Sequence, residues 1–479
     1  MNIEKNPTPP NSNLLRNRIV THVLDLIYLV TVVVQLPQCI WNYFVQGKYR
    51  GTLGVRLWGR VMKRDGDIHC AWFEAASLGE VRALESLVRA FQIEHPGWYC
   101  VISASTTSGF RLAQQLFPDI YVFPLPVDFS WAVRTAVARL RPNLLVIVDN
   151  EAKPNLLAAA HQHGSQVAIV NGRMTTKDMR LQVRLKWLSS QALHQVDLIM
   201  AQNNAYANRF VRLGAVPNRV QVVGSLKYDC LKRHHNDETC HELARRAQID
   251  SQDIVWMAGS THEGEEQTIL EVFQALQHQY PKLRLILAPR HIERTAAVEH
   301  LLARSGLPWE RSSHLPSGDD LRDLNEIEGI SPPKKNNKII LVDTIGDVVW
   351  WWGVSHIAFV GGSLANGRGR NMLEPAAYGA AVCFGPHTSD FRCFVNDLLG
   401  HGAARTVHNQ LELRAFVAEC LDDTAFREQL GHRAQELITQ RRGATLKTLR
   451  TLKPLIDKKA IGETSDTFCR SELEHSVCF

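Results

Sequence analysis

The sequence predicts an α/β protein made of two doubly wound domains, each a mostly parallel sheet with helices on both faces. The chain has 479 residues, which is too long for one ordinary hydrophobic core and fits two domains. With 45% hydrophobic and 21% charged residues, the bulk of the chain is neither disordered nor of low complexity. From residue 66 onward, short apolar runs alternate with amphipathic helical segments, a pattern typical of parallel sheets.

This alternation occurs twice along the chain. The first set of predicted strands lies at 68–75, 98–105, 143–150, 166–172, 196–202 and 220–225, with a short extended run at 120–126. Pro154 and Gly164 bound one of the intervening helices, since proline favours the first helical turn and glycine follows the last. The pattern then restarts, with predicted strands at 253–260, 283–289, 339–344, 356–363 and 380–386.

The patterns divide the chain into four parts. Two Rossmann-like domains are predicted at 48–235 and 236–445, preceded by an N-terminal segment at 1–47 and followed by a C-terminal helix and disordered tail at 446–479. The segment 310–338 has no periodicity and predicts a long loop. Ligands of doubly wound domains bind at the carboxyl ends of the strands, so we expect the two domains to face a substrate cleft there.

The positive charge of the chain is confined to its beginning. The formal net charge is +6, but residues 1–64 hold nine basic and two acidic side chains, which leaves −1 for the remainder. A nucleic-acid-binding domain needs a basic face on a folded body. The distribution therefore argues against a nucleic-acid partner.

An uncharged apolar stretch at 26–45 predicts a membrane anchor. About 20 such residues can cross a hydrocarbon core of roughly 30 Å, and Trp41, Tyr43 and Phe44 suit the interface. Basic residues after the stretch outnumber those before it by six to three, which places the body on the cytoplasmic side of the inner membrane, beside anionic lipids. Because Gln35 and Pro37 interrupt the run, a helix lying in one leaflet is the alternative.

Several common site types are disfavoured by spacing. The ten cysteines include no pair two residues apart and none at zinc spacing to a histidine, and they suit reduced thiols of a cytosol-facing protein. No dinucleotide fingerprint, P-loop, EF-hand or H-E-x-x-H motif occurs. We therefore expect neither a metal nor a cofactor.

Acidic residues follow two predicted strands of the first half. Glu80, in the segment SLGE, lies at a strand-to-helix junction where it could serve as a general base, although a glutamate in a first helical turn is also an ordinary dipole partner. Asp149 and Glu151 follow a buried strand directly. Two acids at such a strand end suit a ligand site, while capping of the next helix is the structural alternative.

Anion-binding candidates follow strands of the second half. Ser260 or Thr261 could cap a helix, or the helix N–H groups there could hold an anion. Arg290, followed by His291, suits a bidentate grip on phosphate. The glycine-rich segment 361–379 carries Arg368 and Arg370 and predicts a phosphate cradle of backbone N–H groups, with Glu374 facing ribose hydroxyls; a tight turn is the alternative.

The ordered set of motifs resembles the 3-deoxy-D-manno-octulosonic acid (Kdo) transferases of lipopolysaccharide synthesis, inverting glycosyltransferases of the GT-B fold. The resemblance covers most of residues 45–440 and rests on SLGEV, NEAKPN, GSLKYD, AGSTHEGEE, APRHIER, DTIGD, FVGGSL, NMLEPAAYG and FGPHTSDF. It implies CMP-Kdo as the donor and a hydroxyl of the lipid A precursor (lipid IVA) as the acceptor.

The resemblance also implies roles for particular residues. Glu80 matches the general base, and Glu151 and Lys227 match residues that stabilise the transition state or the leaving phosphate. The CMP-binding segments correspond to Pro289, Arg290, Ile345, Gly346, Asp347, Asn371, Met372, Leu373 and Glu374.

This chain departs from the family pattern at several of these motifs. Lys153 stands where the family usually has tryptophan, Gly367 and Arg370 stand where it has histidines, and Asp347 stands where glutamate is common. Two alternatives follow from these departures: another GT-B transferase or epimerase that uses UDP-sugars, or a non-catalytic, membrane-tethered homologue.

Overall fold

The fold was analysed in a computed structural model that describes residues 21–31, 33–34, 52–149, 153–184, 186–231, 238–316, 338–344, 346–365 and 367–457. The chain forms two compact units. The first contains the chain up to Cys230 together with the part from Arg442 onward, and the second contains Leu231–Arg441. The predicted boundaries were 235/236 and 445/446, a few residues later in each case.

The first unit is built on a parallel sheet, with helices between successive strands. Its strands are β1 (Cys70–Ala75), β2 (Tyr99–Ala104), β3 (Tyr121–Pro124), β4 (Leu144–Val148), β5 (Gln166–Gly172), β6 (Leu198–Ala201) and β7 (Val220–Val222). Its helices are α1 (Leu53–Trp58), α2 (Leu78–Glu94), α3 (Thr107–Leu116), α4 (Ser130–Leu140), α5 (Pro154–Gln162), α6 (Thr176–Arg184), α7 (Lys186–His194) and α8 (Asn204–Arg212).

The strand order of this sheet places two strand ends side by side at its switch point. Within the described residues the order is β3-β2-β1-β4-β5-β6-β7, and each strand runs parallel to its neighbours. The order reverses between β1 and β4, where the connections leave in opposite directions and open a crevice for ligands. Glu80 lies in the first turn of the helix after β1, and Asp149 directly follows β4.

The second unit repeats this architecture. Its strands are β8 (Ile254–Thr261), β9 (Leu283–Pro289), β10 (Trp309–Arg311), β11 (Ile339–Leu341), β12 (Ile357–Val360), β13 (Ala381–Phe384) and β14 (Ala404–Thr406), in the order β10-β11-β9-β8-β12-β13-β14. Its helices are α9 (Glu238–Arg246), α10 (Glu265–Gln277), α11 (Thr295–Ser305), α12 (Val348–Val354), α13 (Leu373–Ala377), α14 (Arg392–Gly400), α15 (Gln410–Asp422) and α16 (Thr424–Arg441). Here the switch point lies between β8 and β12.

The predicted α/β class with two parallel sheets is confirmed. Strands β5 and β9 have the bounds that the apolar runs predicted. Strands β10 and β14 were missed because each has three residues, with charged and partly exposed side chains. The first of them lies at the edge of the predicted loop 310–338, of which residues 317–337 fall outside the described part of the chain.

The end of the described chain packs into the core of the first unit. Residues 444–457 form helix α17, and its Leu449, Leu452 and Ile456 join the buried cluster beneath the first sheet. The Asp229 carboxylate accepts hydrogen bonds from the N–H groups of Gly443 and Thr445, at 2.8 and 2.6 Å. A carboxylate at a helix N-terminus satisfies donors that have no partner within the helix.

The predicted anchor at 26–45 lies only partly within the described residues. Residues 21–31 and 33–34 are helical. Across the described ranges, the helices are all too short or too polar to cross a bilayer. Residues 35–51 are outside those ranges.

Candidate active site

In the first unit, Glu80 is held at the mouth of the switch-point crevice. It lies in the first turn of α2, and its carboxylate accepts hydrogen bonds from the Ala76 N–H at 2.7 Å and from the Ser77 hydroxyl at 2.9 Å. Burial, reinforced by the charges of Asp149 and Glu74, raises the pKa of Glu80 to about 7 against the lowering effect of these two hydrogen bonds. A carboxyl group that titrates near neutrality can accept a proton from an alcohol in a transition state.

Asp149 lies on the other side of the switch point, in a strained backbone conformation. Its φ of +69° is rare for a residue with a side chain, and residues held this way cluster at functional sites. The buried carboxylate accepts from Arg173 Nε, at 3.0 Å to Oδ2 and 3.3 Å to Oδ1. Burial raises the pKa of Asp149, while Arg173 and Lys227 counteract the rise.

Two cations face these two acids. Arg173 directly follows β5, and Lys227 lies in the turn after β7, in a 3₁₀-helix formed by Leu226–Tyr228. Burial and the neighbouring Arg173 lower the pKa of Lys227, against the attraction of Asp149 and Glu80. The first unit therefore gathers two acids and two cations at one edge of its sheet, as a proton transfer coupled to anion stabilisation requires.

The structure places two of the predicted catalytic residues, Glu80 and Lys227, near each other, with Arg173 beside them. The third predicted catalytic residue, Glu151, lies outside the described residues. Arg173 was not predicted as a site residue, because it follows the strand 166–172 without any accompanying motif. A charged residue directly after a buried strand was the signal that could have found it.

The sequence predicted that the glycine-rich segment of the second unit presents its N–H groups as a phosphate cradle. The N–H groups at the start of this segment, at residues 362–365, do not do so. The carboxylate of Glu265 occupies them: Gly362 N–H donates to Oε2 at 2.7 Å, and those of Ser363, Leu364 and Ala365 donate to Oε1 at 3.0, 2.9 and 3.3 Å. The N–H of His262 also donates to Oε2, at 2.8 Å. The anion site is thus filled from within the chain.

The glycines of this segment serve close backbone packing. A Cβ on Gly361 would lie 2.6 Å from the Thr261 Cα atom, and one on Gly367 would lie 2.7 Å from the Gly362 Cα atom. Both distances are shorter than side chains tolerate. The tight-turn alternative accounts for these two glycines.

The sequence left two alternatives at Ser260 and Thr261, a helix cap or an anion held by the helix N–H groups. Neither side chain caps α10, which begins at Glu265 after Gly264, a residue with a φ of +89°. The Thr261 hydroxyl instead donates to Glu266 at 2.9 Å. Buried Glu266 is further paired with Arg294, at 2.7 Å. The first turn of α10 thus carries two carboxylates of the chain itself, Glu265 and Glu266.

Cationic side chains remain at the carboxyl ends of β8, β9 and β12. Arg370 Nη2 lies 2.9 Å from His262 Nε2, and the His262 ring contacts that of His291 edge-on at 5.8 Å. Burial and the charge of Arg290 lower the pKa of Arg370. Burial and Arg370 likewise lower the pKa of His262. Like charges gathered in this way favour an anionic ligand.

The predicted CMP-binding residues lie along this same edge of the sheet. Pro289 ends β9, and exposed Arg290 donates its N–H to the Thr261 carbonyl at 3.0 Å. The Asn371 amide donates to Glu374 Oε1 at 3.0 Å. Met372 and Leu373 are fully buried. Gly346 (φ +98°) and Asp347 lie just before α12, and Ile345 is outside the described residues.

Comparison with known proteins identifies the family. Residues 53–230 match the family model of 3-deoxy-D-manno-octulosonic-acid transferase (kdotransferase). The chain is 30% identical over 390 residues to the 3-deoxy-D-manno-octulosonic acid transferase of Haemophilus influenzae, which covers 81% of this chain and 87% of the relative. It is 29% identical over 391 residues to the transferase of Bordetella pertussis, which covers 80% and 86%.

Solved structures agree on the fold. UDP-GlcNAc 2-epimerase from Neisseria meningitidis superposes with a TM-score of 0.55 at 12% identity, covering 80% of this chain and all of that one. A glycosyltransferase from Rickettsia africae superposes with a TM-score of 0.52 at 11% identity, covering 82% and 99%. Both share the paired parallel-sheet units of GT-B proteins. Together with the identity to curated relatives over most of their length, this shows that the chain belongs to the 3-deoxy-D-manno-octulosonic acid transferase family of glycosyltransferases.

Proposed function

We propose that this protein transfers Kdo from CMP-Kdo to a hydroxyl of a lipid A precursor, with inversion at the anomeric carbon. The observation that carries the proposal is the half-buried Glu80 carboxyl group, whose pKa is raised to about 7 beside the cations Lys227 and Arg173. Membership of the Kdo transferase family supplies the transferred sugar, and the resemblance of the motifs implies CMP-Kdo and the lipid A precursor.

In the proposed reaction, Glu80 accepts the proton of the acceptor hydroxyl as its oxygen attacks the anomeric carbon of Kdo. The bond from that carbon to the phosphate oxygen breaks, and CMP leaves with the electron pair. Lys227 and Arg173 stabilise negative charge that develops in the first unit. Arg290 and Arg370 hold the donor's anionic groups in the second unit.

The anionic character of the proposed acceptor is supported by helices α6 and α7. Residues 176–194 hold four Lys/Arg and one acid, and the helices expose Leu181, Val183 and Trp187 at 65%, 47% and 49%. Exposed cations interleaved with apolar side chains suit a phosphorylated lipid. The helices begin three residues after Arg173, at the catalytic edge of the sheet.

The function is tested by product mass and nucleotide choice. The full-length protein is expected to convert CMP-Kdo and tetraacyl lipid A precursor into a product heavier by one or more Kdo residues, and to bind CMP more tightly than UDP in calorimetry. Binding of UDP and UDP-sugars in preference to CMP would replace the proposal by the epimerase or UDP-sugar alternative. Absence of turnover with intact CMP binding would favour a non-catalytic homologue.

We also propose that the N-terminal helical residues 21–31 and 33–34 attach the first unit to the cytoplasmic face of the inner membrane. Two of their polar side chains are directed to the protein: buried Asp25 accepts from the Ser130 N–H and hydroxyl at 2.8 and 2.6 Å, and the Tyr28 hydroxyl donates to Asp128 at 3.3 Å. Most of their apolar side chains are exposed, with Ile27 at 54% and Val34 at 73%. An apolar helix face left open in this way suits a lipid interface.

Replacing Ile27 and Val30 by glutamate is expected to reduce co-flotation with vesicles of phosphatidylethanolamine and phosphatidylglycerol by about tenfold, because two charges then face the lipid. The control is Leu411→Glu, since Leu411 is also an exposed apolar residue, at 76%, but lies in the second unit. Unchanged flotation of the double variant would overturn the proposed docking.

A further inference from the structure

An ion pair is buried within the first sheet, close to the proposed base. Glu74 lies on β1, a strand buried along its whole length, and is itself fully buried. Lys153 Nζ donates to Glu74 Oε1 at 2.9 Å, and the lysine side chain is 13% exposed. Removing both charges from water is costly, and such pairs contribute little net stability compared with apolar packing. A contribution to the stability of the fold therefore does not explain why this buried pair is present.

The pair includes a residue at which this chain departs from the family motif. The family motif usually has tryptophan where this chain has Lys153. Lys153 immediately precedes α5, whose first residue is Pro154, so its position is fixed by the helix start. An apolar ring has been exchanged for a cation, and that cation meets a buried carboxylate.

Hydrogen bonds connect the pair to the loop that holds Glu80. Ser105 Oγ donates to Glu74 Oε1 at 3.4 Å. The next residue, Thr106, donates from its hydroxyl and its N–H to the Ala76 carbonyl, both at 3.0 Å. The Ala76 N–H in turn donates to Glu80. Hydrogen bonds thus link both Glu74 and Glu80 to the same short connection between β1 and α2.

Glu74 also acts on Glu80 through its charge. The negative charges of Asp149 and, to a smaller extent, Glu74 raise the pKa of Glu80. The charged groups around Glu80, Glu74 and Asp149 come from several elements: Glu74 on β1, Asp149 after β4, Lys153 before α5, Arg173 after β5, Lys227 after β7, and Arg56 of α1, which donates to the Ser105 carbonyl. Among them, Lys153 is the cation paired with Glu74.

We propose that Lys153 is a positioning residue of the transfer reaction, which neutralises Glu74 and so controls the protonation of Glu80. The inference rests on the proposed role of Glu80 as the general base. With Lys153 in place, Glu80 is ionised in a larger fraction of molecules at neutral pH. Without it, the charge of Glu74 is compensated less fully and disfavours a second negative charge nearby.

The test is the pH dependence of kcat/KM in the full-length protein, measured with CMP-Kdo and tetraacyl lipid A precursor. Lys153→Met is expected to move the acidic limb to higher pH by about 0.5 to 1 unit, the scale of one charge acting through a partly buried medium. Glu74→Gln is expected to move it to lower pH, because it removes the neighbouring negative charge. The double variant is expected to return close to the wild-type limb, and Lys153→Arg to retain it.

The inference is supported if the acidic limb of kcat/KM moves in opposite directions in Lys153→Met and Glu74→Gln and returns in the double variant. A purely structural role would lower the rate without moving this limb in two directions. The inference is overturned if the limb does not move in either single variant, or if it moves in the same direction in both. If Lys153→Met does not fold, as judged by thermal unfolding, Glu74→Gln and the double variant decide by the same criterion. If the Glu80→Gln variant instead keeps the acidic limb of the wild-type pH profile, Glu80 is not the base and the proposed mechanism itself is rejected.

Discussion

Replacing Glu80 by glutamine is expected to lower kcat by about 10²- to 10⁴-fold, the usual contribution of a general base. Glutamine keeps the shape of the side chain and an oxygen that can accept from Ala76 or Ser77, so the loop between β1 and α2 is retained. The measurement is initial velocity with CMP-Kdo and the lipid A precursor, with CMP affinity from calorimetry expected to be unchanged. Glu94→Gln, at the exposed end of the same helix, is the control.

The pH dependence of the wild-type enzyme follows from the same group. Because Glu80 must be ionised to accept a proton, kcat/KM is expected to rise with pH through about 7, the raised pKa of this group. Its effect on stability has the opposite sign: protonated Glu80 stabilises the fold below its ordinary pKa of 4.5, and this contribution is lost as pH rises through about 7. Wild-type activity in Glu80→Gln would contradict the assignment.

Replacing Glu265 by glutamine is expected to destabilise the second unit by about 3 kcal/mol or more, because a buried charged hydrogen-bond acceptor is lost. Five backbone N–H groups converge on its two oxygens. A glutamine has the same shape but directs an amide donor at some of these donors. They then remain buried without an acceptor, which costs their full desolvation energy.

Urea denaturation of the full-length protein measures this effect, followed by far-ultraviolet circular dichroism at pH 7. Glu263→Gln is the control, since Glu263 lies two residues earlier and is exposed; it is expected to change the free energy of unfolding by less than about 0.5 kcal/mol. A Glu265→Gln midpoint equal to that of the control would show that the carboxylate is not needed to hold the loop after β12.

The sequence identified the strands best where the apolar runs are long and continuous. Strands β5 and β9 are central enough to be buried on both faces, and their apolar runs end where their hydrogen-bonded ladders end. In the part of the chain that the structure describes, strands β10 and β14 lie at the two edges of the second sheet, where one side has no strand neighbour. Edge strands need few apolar residues, so periodicity does not reveal them.

The sequence by itself determined the α/β class, the two parallel sheets and the position of Glu80, because these depend on local periodicity and on the loop that follows one strand. The tertiary structure decided which charges meet. Glu265 fills a backbone anion site about a hundred residues away, at Gly362, Arg173 pairs with Asp149, and Lys153 pairs with Glu74 on another strand. Periodicity reports which residues are buried. Which buried charge neutralises which is set by the strand order, because in a parallel sheet it brings distant strand ends to one edge.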